Sequence, residues 1–181
     1  MPARPTTAAP EPLAAPAAGM TRREFFADVV ATLRPMLPPD LRDFRHRATS
    51  TILKLWYDNE RVHYEVWCNG QLGTIEIGLH FEDGPVSTAA YLHWFDRQIV
   101  ELKHDLGPTL ELERWTATWG HLFETRPLGR LDLRTVDLVC DRLAIMVPSL
   151  QPLVVAASVP PEYLPGERPA PRARWHRSAR A

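Results

Sequence analysis

Between positions 49 and 82, apolar side chains fall at every second residue. Leu53, Leu55 and Tyr57 are followed by Val62, Tyr64 and Val66, and then by Ile75, Ile77, Leu79 and Phe81. A period of two belongs to a strand with one buried face. The pattern predicts three strands, over 49–58, 61–68 and 72–82, joined at Asn59-Glu60 and Asn69-Gly70. Asn-Gly is the signature of a two-residue type I′ turn, because both residues tolerate positive φ. Such turns make the strands antiparallel and set the register. Leu53 should face Val66, Lys54 Glu65, Leu55 Tyr64 and Trp56 His63. Across the second hairpin, Val62 should face Ile77, His63 Glu76 and Tyr64 Ile75. A slip of one residue would exchange the two faces. The expected register instead keeps the apolar residues on one face. Ile52, Lys54, Trp56, Arg61, His63, Glu65, Trp67, Thr74, Glu76, His80 and Glu82 collect on the other.

Three helical patterns surround these strands. Thr21 and Glu24 form a capping box, in which each side chain meets the other's backbone N–H. Phe25, Val29 and Leu33 then repeat along one helical stripe until Pro35 and Pro38-Pro39. Asp40 can cap a short turn through Leu41 and Phe44. A long helix capped by Ser87 or Thr88 should end at Gly107-Pro108, with Leu92, Phe95, Ile99, Leu102 and Leu106 inward. Strands over 109–115 and 119–126 follow. A last helix should run from Leu133 to Val147, where Pro148 and Pro152 kink or end it.

The order is therefore α-βββ-α-ββ-α, and its helices suffice for one face of a sheet. The expected fold is α+β: a two-layer sandwich of about five antiparallel strands with helices on one face. This element order resembles the type III secretion chaperone-like fold across 21–157. The resemblance implies dimerisation and binding of extended partner segments.

Composition sets the domain boundaries. Prolines crowd both ends of the 181 residues. Residues 1–19 alternate alanine and proline with only Leu13 to bury, and read as a disordered leader. They lack the basic start and apolar run of a secretory signal. Residues 158–181 carry five arginines (Arg168, Arg172, Arg174, Arg177 and Arg180) against two acids, and read as a disordered basic tail. The single domain between them, 20–157, holds 15 basic and 19 acidic residues. No stretch approaches the roughly 20 apolar residues of a membrane span. Cys68 and Cys140 are too few for a disulfide framework or a zinc site, and read as small buried residues of a cytoplasmic protein.

The second sheet face carries the candidate chemistry. Ile52, Trp56 and Trp67 form an aromatic patch expected to be an interface, with a protein partner or a second copy as its occupant. His63-x-Glu65 and His80-x-Glu82 suggest metal ligation. In the expected register, however, His63 and His80 stand roughly 13 Å apart, too far to share an ion. The smaller set His63, Glu65 and Glu76 remains, as a metal or acid–base site or as cross-strand pairs in which Lys54 balances Glu65. Glu111 and Glu113 read as solvated, and His104 and His121 have no evident partner. Phosphate-binding loops, dinucleotide fingerprints, nucleophile elbows and zinc-binding helix motifs are all missing from the sequence, so no cofactor is expected. The favoured expectation is a non-enzymatic, cytoplasmic binding or chaperone-like module. A small metal-dependent or acid–base enzyme is the alternative, and a weak nucleic-acid contact through the tail arginines is a third.

Overall fold

The structure is a computed structural model and describes residues 19–157. The leader and the basic tail lie outside the described residues, apart from Gly19.

The capping box forms as expected. Thr21 Oγ1 accepts from the Glu24 amide, while Glu24 accepts from the Thr21 amide at 2.8 Å. It opens α1, Arg22–Met36. A 3-10 turn, Pro39–Leu41, leads into six strands: β1 Arg45–Ala48, β2 Ile52–Trp56, β3 Val62–Asn69, β4 Thr74–Phe81, β5 Glu111–Arg114 and β6 Gly120–Pro127. Between β4 and β5 lie α2, Gly84–Asp96, and α3, Ile99–Leu106; α4, Leu133–Ala156, closes the chain. All strand pairs are antiparallel, in the spatial order β1-β2-β3-β4-β6-β5. The fold is α+β, an open antiparallel sheet with helices.

One strand more is present than the alternation indicates. β1 is four residues, Arg45-His46-Arg47-Ala48, all exposed, and shows no apolar period. It forms one edge of the sheet, and β5, with Glu111 and Glu113, forms the other.

The β2–β3 register is the expected one. The β3–β4 register is not. Four residues, 70–73, make this turn. Asn69 Oδ1 accepts from the Gln71 and Leu72 amides, and Gly73, not Gly70, takes the positive φ. The longer turn slides β4 by four residues, an even number. Faces are therefore preserved while partners change. Tyr64 faces Leu79, Val62 faces Phe81, and His63 faces His80 rather than Glu76.

The expected long helix is two. Gln98 turns the chain between α2 and α3, its amide bonding Phe95 O and its side chain Trp94 O. Ser87 and Thr88 are buried within α2 rather than capping it, and Thr88 Oγ1 donates to Phe81 O and Thr118 O. α4 runs past both prolines to Ala156. Each proline removes a helical N–H, but Met146, Val147 and Leu150 are buried around them. That packing, together with the hydrogen bond from Tyr64 Oη to Gln151 Oε1, carries the helix on. By length and composition α4 could cross a membrane, yet its stripe Val136, Val139, Cys140, Leu143 and Val147 lies in the core.

The core sits between the helices and one sheet face: Leu53, Leu55, Tyr64, Val66, Cys68, Ile75, Ile77, Leu79, Phe81 and Leu122. Phe81 stacks on Tyr91 and Phe95 of α2. Glu124 lies on this same face opposite Ile77, its carboxylate fully buried. Arg142 of α4 grips it with two bonds, Nε to Oε1 at 2.7 Å and Nη2 to Oε2 at 2.9 Å. Both cysteines are free and buried. Burial pushes the thiols up, to about 11 for Cys68 and about 12 for Cys140.

Candidate functional site

The other sheet face carries His63 and Glu65 on β3, Glu76 and His80 on β4, and His121 on β6. These five polar residues are all buried, and His63 is 0% exposed. Strands and turns bury them. Trp67 of β3 and Trp115, beyond the end of β5, meet over the intervening strands, ring centroids 5.9 Å apart. His121 is sandwiched between Trp115 and Phe123, with interplanar angles of 14° on both sides. Phe123 in turn lies over Gly78. A Cβ at Gly78 would stand 2.6 Å from both Phe123 Cβ and Leu122 O, so glycine lets the β6 backbone and the base of the Phe123 side chain come close.

Two overlapping clusters occupy this face. The first is His63, Glu65, His80 and Glu82, each offering one ligand atom within 4.8 Å of the others. The four-residue shift at 70–73 creates it. His63 and His80 are direct partners with stacked rings 5.6 Å apart, against the roughly 13 Å expected from a two-residue turn. The second cluster is Glu76, His80 and His121. Glu76, expected opposite His63, instead faces Trp67. Its Oε1 accepts from His80 Nε2 at 3.0 Å and His121 Nδ1 at 3.1 Å. Burial alone would raise the Glu76 carboxyl. The His121 and His80 bonds outweigh it and bring it down to about 2.

The hydrogen positions follow from the acceptors. Glu60 O can only accept, so His63 Nδ1, 2.8 Å away, carries the hydrogen. Burial lowers the His63 pKa despite the Glu65 bond. Nε2 lies 3.2 Å from Glu65 Oε2. Burial pushes Glu65 up, but its bond with His63, with His80 and Lys54, holds it below the usual carboxylate range. With Nδ1 engaged by Glu60 O, the contact needs a cation between the two atoms, either a proton on Nε2 or a metal ion. A metal with bonds of about 2.1 Å spaces adjacent ligands roughly 3.0–3.4 Å apart, which spans the His63–Glu65 distance.

Charge points the same way. Across the two clusters three carboxylates, Glu65, Glu76 and Glu82, face one lysine, Lys54. Lys54 Nζ lies 2.8 Å from Glu82 Oε2 and 3.6 Å from Glu65 Oε2, where a cation belongs. The supporting hydrogen bonds are also in place, since metal-binding histidines usually donate their other N–H to a carbonyl or carboxylate. His63 donates to Glu60 O. His80 Nε2 donates to Glu76 Oε1.

Of the expected site residues, His63 and Glu65 fall in the first cluster, and Glu76 supports it from behind His80. His121 was hidden because sequence does not place β6 beside β4. Its Nε2 is buried without a hydrogen-bond partner, 3.8 Å from Glu113 Oε2. Ile52 and Trp67 are cross-strand partners, Trp56 faces Arg45, and all three are half-buried. The more exposed tryptophans are Trp115 and Trp119. Glu111 and Glu113 are solvated as expected, and His104 is exposed beside Asp105.

Sequence comparison matches the chain to no family model and to no curated protein.

Proposed function

We propose that this is a metal-dependent protein whose centre is His63, Glu65, His80 and Glu82, oriented by Glu60 O, Glu76 and His121. The observation that carries the reading is the convergence of one ligand atom from each of His63, Glu65, His80 and Glu82 within 4.8 Å of the others, on a buried face. Two imidazoles and two carboxylates suit Zn²⁺ and other divalent first-row ions better than Ca²⁺ or Mg²⁺, which favour oxygen. Such an ion would act as a Lewis acid and lower the pKa of a bound water. Lys54 would be displaced from Glu65 on loading and remain beside the centre as a mobile cation. The test is equilibrium titration of the chelator-treated protein with Zn²⁺, and with Co²⁺ read by its visible absorption. One equivalent should bind, and His63→Ala and His80→Ala should lose it. Failure of the unaltered chain to bind either ion below about 10 µM, or equal binding by both variants, refutes the reading.

A second reading is a protein-binding module using the aromatic side of the same face, with Ile52, Trp56 and Trp67 now joined by Trp115 at 51% exposure and Trp119 at 43%. Light scattering across a concentration series decides whether a second copy is the partner. Concentration-dependent dimer mass that Trp115→Ser abolishes supports self-association, and a constant monomer mass removes it.

A further inference from the structure

The Trp115–Trp119 turn presents chemistry that the metal centre does not use. The two indoles are exposed, with centroids 5.9 Å apart and planes tilted by 53°. On the strand leading into them, Glu111 and Glu113 are exposed, as is Arg114, whose Nη1 donates to Ala117 O within the turn. The unpartnered His121 Nε2, on a residue only 6% exposed, points toward Glu113 from beneath Trp115. Indole faces attract cations, guanidinium above all, and carboxylates take guanidinium through paired hydrogen bonds. An acidic, aromatic edge with a buried nitrogen facing it therefore fits an arginine side chain.

The same polypeptide supplies such groups. Residues 158–181 carry Arg168, Arg172, Arg174, Arg177 and Arg180 against Glu162 and Glu167, while 20–157 is net negative. Reach is ample. Arg172 is 15 residues beyond Ala157, up to about 50 Å of extended chain, whereas a domain of this size has a radius of gyration of about 14 Å. Tethering also raises the local concentration of the segment to roughly the millimolar range, enough for a weak site to be occupied.

We propose that the arginine-rich segment 168–180 docks in cis on the edge formed by Trp115, Trp119, Glu111 and Glu113. The contact is electrostatic and shields the aromatic wall of the His–Glu face. It does not depend on the metal reading, and its test is run with chelator present.

Both native cysteines are buried, so Ser178→Cys in the full chain offers one accessible thiol for a nitroxide label. Paramagnetic broadening is then read on the indole N–H signals. Those of Trp115 and Trp119 should lose more than half their intensity at 50 mM salt and recover at 0.5 M, where the Debye length is about 4 Å. Glu111→Gln with Glu113→Gln should abolish the effect while the remaining spectrum stays folded. Uniform or absent broadening overturns the proposal. So does broadening that persists at high salt or in the double variant. If broadening instead appears when labelled chains without ¹⁵N are mixed with unlabelled ¹⁵N chains, the contact is between copies and the cis assignment falls.

Discussion

His63 and His80 stand directly opposite each other on β3 and β4, their rings stacked 21° from parallel. Neighbouring imidazoles repel when both are protonated, and burial already disfavours charge on His63. Its folded pKa is depressed, so the unfolded chain takes up a proton near pH 6.5 that the folded chain refuses. Stability should therefore fall as pH drops below about 6.5 and be recovered as pH rises through it. Urea midpoints between pH 5 and 8 measure the slope, and His63→Gln should flatten it.

Glu76 makes the opposite test at lower pH. Its carboxyl is held at about 2 against a normal 4.5, so its contribution is complete above about 4.5 and is lost as pH falls toward 2. The shift corresponds to roughly 3 kcal/mol. Glu76→Gln should be less stable than the parent at pH 7 and lose less on going to pH 3, as followed by far-UV circular dichroism.

Gly78 and Gly120 should respond differently to alanine. At Gly78 the new Cβ meets Leu122 O and the Phe123 backbone within 2.8 Å, and these cannot move without disturbing β6. At Gly120 it meets only the end of the Leu92 side chain. Gly78→Ala should cost about 3 kcal/mol and loosen the Phe123–His121 stack, while Gly120→Ala should cost about 1 kcal/mol. Calorimetric melting of the two variants gives the comparison.

Arg142→Met should destabilise by about 3 kcal/mol, because it leaves the buried Glu124 carboxylate with only the longer Arg126 contact, 3.5 Å, for a cation. Adding Glu124→Leu should restore part of the loss, since it removes the stranded carboxylate, while Arg126 and Thr109 lose their contacts with Glu124 and Leu106 O its donor. A double-mutant cycle of denaturation free energies checks this, and additive losses would contradict the pairing.

Much of the fold was legible because period and punctuation agreed. The Thr21 cap, the face assignments and the β2–β3 register follow from local rules. The β3–β4 register failed on one turn: Asn69-Gly70 fits a tight hairpin, but Asn69 spends its side chain on the Gln71 and Leu72 amides and passes the positive φ to Gly73. Parity hid the error, because a four-residue slide leaves every side chain on its own face. It moved His80 from a distant position to the partner of His63, and so concealed the cluster. β1 was illegible because four exposed polar residues show no period. His121 was illegible because its partner Glu76 lies 45 residues away on a strand whose neighbour depends on tertiary packing. The overrun of α4 past Pro148 has the same cause: packing outweighed a local rule.

The two edges of the sheet differ in charge: Arg45, His46 and Arg47 on β1, and Glu111 and Glu113 with Arg114 at the end of β5. Two copies joined β1 to β1 would set the arginines of one strand beside those of the other. A two-fold dimer through the β1 edge is thus disfavoured by its sequence, whereas two β5 strands can set Glu111 of one copy against Arg114 of the other. Head-to-tail joining, β1 of one copy to β5 of the next, would also match charges, and that operation does not close on itself after two subunits. The charge pattern therefore closes β1, and not β5, to symmetric pairing.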